Sequence, residues 1–277
     1  VNEGYIRYKT DPRRFVGLEE KIVASAKAEV NRDSNPKGVI DGLVFLSSAV
    51  SPLMAGVLEG AGRLPASGYV VVLVFLIGGL VTVQRRRRSD LFLSYAAAST
   101  GFTGMLLSIL LILAFQVYYG YVYHHIAMLT ALFMLGSGAG AWWSIAYRNI
   151  PLLFVEAGMV LLTLITWFTV FLELATPIAQ PAIFGLMFLT GLLSGVEFPV
   201  VVGWADRSYE RVGETTGWFY AMDLCGAVLG AILTAILLIP GIGLTGTALV
   251  AAMIKAGSVV LVYWSRFPRQ GGPAVLT

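Results

Sequence analysis

LFLSYAAASTGFTGMLLSILLILAFQVY, residues 91–118, contains no aspartate, glutamate, lysine or arginine. A helix needs about 20 apolar residues to cross the hydrocarbon core of a bilayer, so this stretch reads as a membrane span. Six further runs are similarly apolar, the last four with one aspartate, glutamate or lysine each: 67–83, 125–143, 152–172, 181–204, 216–239 and 244–264. None alternates with the period of a membrane barrel strand, so the fold class is an all-α integral membrane protein with about seven transmembrane helices. Composition agrees: 57% of residues are hydrophobic and 13% charged, and the mean hydropathy is +0.78. A soluble chain of this length has to show water more polar surface than that.

Basic residues set the orientation. Arg85, Arg86, Arg87 and Arg88 lie in one loop, and Arg148, Arg207, Arg211, Arg266 and Arg269 follow at alternate loops. The intervening loops, 119–124, 176–180 and 240–243, hold no lysine or arginine. Cationic loops stay cytoplasmic during insertion. The expected arrangement is therefore a multi-pass protein of the bacterial inner membrane with a cytoplasmic C-terminus, including the tail 266–277. On that count residues 1–66 are periplasmic, although they carry nine lysines and arginines. Residues 1–37 are polar and of mixed charge. Residues 38–66 form an amphipathic interfacial helix and linker, since Ile40, Leu43, Val50, Met54 and Val57 fall at roughly helical spacing; a further span over 42–58 is the alternative. The first span and its arginine loop occupy 67–90, and a six-helix bundle occupies 91–265.

A shift of ninety residues superposes Thr100-Gly101 on Thr190-Gly191, and Gly136, Gly140 and Ala141 on Gly226, Gly230 and Ala231. Each unit holds three spans. An odd number makes the second unit enter from the opposite face, giving an inverted pair. Gly136 with Gly140, and Gly226 with Gly230, are four apart and suit close helix packing.

Ionisable side chains within spans are costly and mark candidate sites. Glu197, Asp223 and Lys255 lie inside spans, with Gln116 as a further polar group; Glu156 is near a span start and could sit at the interface. A relay or cation site would use these carboxylates, whereas a structural ion pair would join Lys255 to Asp223 or Glu197. His124 and His125 are adjacent at the outer end of a span, beside Tyr118, Tyr119, Tyr121 and Tyr123. Their side chains diverge by about 100° on a helix, so the pair cannot clasp one metal ion; no cofactor is expected, a haem or quinone contact being the weaker alternative. The lone Cys225 excludes an internal disulfide and a multi-cysteine metal site. Basic residues cluster at span ends and make no nucleic-acid footprint.

GFTGMLLSILLILAFQVYYGYVY (101–123), FMLGSGAGA (133–141), GVEFPVV (195–201), ADRSYERVGETTGWFYAMDLCGAVLGA (205–231) and LLIPGIGL (237–244) resemble the C-terminal membrane half of large bacterial spermidine-synthase-like proteins. There a synthase-like domain is fused to spans related to the major facilitator fold. NRDSNP (31–36) resembles the end of that synthase-like domain, so 1–36 would be its remnant tail. The resemblance implies one extra helix plus a six-helix facilitator-like half. Ser108 stands where the family usually has a glutamate, while Gln116, Glu197 and Asp223 are kept. The S-adenosyl-donor loop and the aminopropyl-transfer aspartate are absent, so this chain alone is not expected to make spermidine. Two functions are expected from this: a non-catalytic subunit of a membrane complex, with membrane or periplasmic protein partners, or a transporter-like half for a cation or polyamine, working as a homodimer.

Overall fold

The structure is a computed structural model that describes residues 91–120, 123–147, 150–172, 179–206 and 212–265, with isolated residues 56 and 60. The first expected span, the interfacial helix, Arg85 to Arg88, the loop and tail arginines and NRDSNP lie outside the described residues. What is described is all-helical: α1 (Leu91–Tyr119), α2 (Tyr123–Ala146), α3 (Leu152–Phe171), α4 (Ala179–Asp206), α5 (Val212–Leu233), a π turn (Thr234–Leu238) and α6 (Ile239–Ser265).

Five helices are long and apolar enough to cross a membrane, the fifth being one continuous stretch, Thr216–Trp264. A straight helix of that length would measure roughly 70 Å, more than twice a hydrocarbon core. It is not straight. Gly243 has φ 72° and ψ −175°, outside the helical region, and the chain doubles back there. Pro240, just before it, cannot donate the helical hydrogen bond that would carry α5 onward. At the far end of α1 the same device ends a helix: Gly120, at φ 83°, returns its N–H to the Gln116 carbonyl at 2.9 Å.

α1 is central, with 67% of its span buried, whereas α2 is peripheral at 17%. α1 and α5 run parallel in close contact: a side chain on Gly226, Gly230 or Gly101 would collide with the carbonyl oxygen of Ala98, Phe102 or Asp223. α2 and α4 do the same: Gly136, Gly140 and Gly191 face the carbonyls of Phe188, Leu192 and Phe133. Adding ninety to each α2 number and subtracting ninety from each α4 number converts the second set into the first. Without a hydrophobic drive between helices in lipid, such backbone-to-backbone approach is a main source of packing energy.

α3 and α6 also correspond, but with a different offset. Up to Thr166, the buried face of α3 is Leu152, Val155, Glu156, Met159, Leu162, Thr163 and Thr166; Thr169 and Val170 continue it. Leu244, Thr247, Ala248, Ala251, Ile254, Lys255 and Ser258 are buried on α6, ninety-two residues later in each case. The two extra residues enter between α5 and α6, where the π turn and the Gly243 reversal lie.

Candidate functional site

Lys255 is the largest polar side chain in the core and is fully buried. A lysine can occupy such a position only with anionic company, and α3 and α4 supply it. Its Nζ lies 3.0 Å from Glu156 Oε2 and 3.1 Å from Glu197 Oε2, with Glu197 Oε1 at 3.2 Å. The ammonium also donates to Thr100 Oγ1 on α1, so its three protons meet partners on three helices. Thr100 passes its own proton back to the Ala96 carbonyl at 2.9 Å. Ser258, one turn beyond Lys255, donates to Glu156 Oε1 at 2.7 Å. None of these three ionisable side chains is more than 1% exposed.

The cluster sits off-centre along the bundle. Thr100 and Glu197 are each about 13 Å from their helix ends, Lys255 about 15 Å and Glu156 about 6 Å, at roughly 1.5 Å per residue. Those four ends flank, in sequence, Arg85 to Arg88, Arg148, Arg207 and Arg266. Glu156 is four residues past the first residue of α3 and wholly enclosed by protein, because α6 lays Lys255 and Ser258 across it. The ion pair expected for Lys255 is found with Glu197, and Asp223 is not a partner. Asp223 lies instead on the α5 face that meets Gly101, half-buried, outside the hydrogen-bonded set. Thr100 and Ser258 were not among the expected site residues, although Ser258 falls three positions from Lys255, on one helical face.

One turn from the cluster, on the side away from those helix ends, Thr103 of α1 and Ser194 of α4 carry buried hydroxyl oxygens with no hydrogen-bond partner. The two helices are close there, since a side chain on Gly104 would come within 2.9 Å of Ser194 Oγ.

The remaining candidates lie elsewhere. Gln116 is at the other end of α1, half-buried. His124 is exposed and His125 half-buried. Their rings are 4.0 Å apart, closer than ideal helix divergence implies, because His125 is drawn onto Phe115 and Phe184, at 5.3 Å and 6.2 Å between ring centres. His125 Nδ1 has no partner. Among the described residues no group of three or more His, Cys, Asp or Glu side chains could hold a metal ion. Cys225 is exposed.

The chain is 26% identical over 141 residues to a polyamine aminopropyltransferase of Oceanobacillus iheyensis, a match covering 48% of this chain and 27% of that protein. The similarity is weak and consistent with a spermidine-synthase-like relationship. The chain spans about a quarter of the length of the curated relative it matches. No protein family's profile matches it, and no solved structure does.

Proposed function

We propose that this chain is a non-catalytic, multi-pass subunit of a bacterial inner-membrane complex. It consists of one extra span followed by a six-helix, major-facilitator-like half made of two inverted three-helix units. The doubled glycine packing carries this assignment, because transporter-type halves are assembled from such internal duplications. The spans of α2 and α3 that face away from the core present large apolar side chains, among them Trp142, Met134, Phe154 and Phe168, and these meet lipid and neighbouring subunits. The similarity to an aminopropyltransferase makes a synthase-like chain a natural partner. Extraction in mild detergent after cross-linking in the membrane should recover the chain with a stoichiometric second protein. Recovery of the monomer alone, cross-linked or not, would remove the proposal.

A second function is favoured by the cluster itself. Glu156 and Glu197 hold a primary ammonium on an alkyl stem, which is also the chemistry of a polyamine terminus. In a transporter-like dimer an incoming cation would compete with Lys255 for these carboxylates. Polyamine uptake into vesicles should then fall at least tenfold when Glu156→Gln and Glu197→Gln are combined. Unchanged uptake rules transport at this site out.

A further inference from the structure

Two carboxyl groups and one ammonium are enclosed together in the α1–α3–α4–α6 core, and their formal charges do not cancel. Fully ionised, Glu156, Glu197 and Lys255 leave one negative charge with no exposure to water. An uncompensated charge in the membrane interior is strongly disfavoured, whereas a neutral set is tolerated. Among the described residues, no helix packed against the cluster supplies the missing positive charge. α1 offers the Thr100 hydroxyl and Tyr95, whose hydroxyl contacts the Ile254 carbonyl at 3.4 Å. α6 adds only the Ser258 hydroxyl. α5 brings Asp223, a further acid.

We propose that Glu156 and Glu197 share one exchangeable proton, making the cluster a single-proton binding site, in addition to whatever the subunit docks or transports. The geometry suits a shared proton. Both carboxylates reach the same ammonium at 3.0 Å and 3.1 Å, so either can be the neutral acid while the other pairs with Lys255. Ser258 steadies one oxygen of Glu156 and leaves the ammonium to the other. The partnerless hydroxyls of Thr103 and Ser194, one turn away, are groups that can both accept and donate a proton.

Infrared spectroscopy of the full chain in lipid nanodiscs tests this without any partner or transport assay. A buried carboxylic acid gives a carbonyl stretch separate from that of carboxylate, and it shifts in heavy water. The wild-type protein should show one such acid per chain at neutral pH, still present in Asp223→Asn. Glu156→Gln and Glu197→Gln should each abolish it, since the remaining carboxylate then pairs one-to-one with Lys255. Lys255→Met, where it folds, should double it. No band in the wild type, or a band indifferent to both glutamine variants, overturns the proposal. A band that emerges only after sodium and potassium are removed also overturns it, by giving the position to a metal cation.

Discussion

The α1–α5 contact and the α2–α4 contact are built alike, glycine against backbone carbonyl at matching numbers; the polar interiors beside them are not alike. On one side stand Thr100, Glu197, Glu156 and Lys255. At the corresponding places on the other side stand Thr190, Leu107, Ala248 and Thr163, all fully buried. Only the threonine is common to both, and it donates alike, Thr100 to the carbonyl of Ala96 and Thr190 to that of Leu186, while Thr100 also accepts from Lys255. The helix-to-helix scaffold can therefore be duplicated while its chemistry is placed on one side alone. Backbone packing constrains both copies, and charge occupies a position that an aliphatic residue also fills.

The comparison breaks most sharply at Lys255. Lys255→Met leaves two enclosed carboxyls without their cation, and removing one member of a buried pair costs about 3–5 kcal/mol. Thermal unfolding in detergent should show a large loss of stability, while Thr163→Val at the matching place should show little. Next in size is Leu107→Glu, which puts a charge where the other copy has Glu197 but supplies no ammonium. A lone carboxylate inside a span costs roughly 2.5–3.5 kcal/mol, and the yield of inserted protein should fall. Adding Thr163→Lys should recover part of it if the two sides are equivalent in geometry, and none if they are not.

Smaller effects sharpen the likeness. Gly136→Ala and Gly226→Ala each force a methyl group against a carbonyl, and each should cost about 1–3 kcal/mol, by similar amounts, in the same unfolding assay. Gly138→Ala is the control, since its position opens onto free space. The smallest expected change is Ser258→Ala. It removes one hydrogen bond to a carboxylate, worth about 1.5–3 kcal/mol when intact and less once Glu156 readjusts toward Lys255.

Much of this was legible in the residues. Long apolar runs located α1 to α6, and the ninety-residue shift picked out Gly101, Gly136, Gly140, Gly191, Gly226 and Gly230, all of which make the paired contacts. The offset of ninety-two between α3 and α6 was not legible, because the matched residues differ in kind: Glu156 with Ala248, and Thr163 with Lys255. Burial is what relates them, and burial is a property of the folded bundle. The enclosure of Glu156 comes from α6 lying across it, and distance from the end of α3 does not foretell that. Asp223 reads as a partner for Lys255 from its position along the chain alone. It is mid-span in α5, but its contact with Gly101 leaves it outside the cluster.

The reversal at Gly243 has a consequence for how the protein is made. Between α5 and α6 no stretch of polar chain intervenes, and the turn itself is lined by Ile239, Pro240, Ile242 and Leu244. Nothing there is hydrophilic enough to wait in water while the second leg is still being synthesised. The two legs should consequently leave the ribosome's exit route and enter the bilayer as one hairpin. A stop codon placed at the turn would then strand the first leg, and the same turn offers no foothold for a protease or an inserted tag.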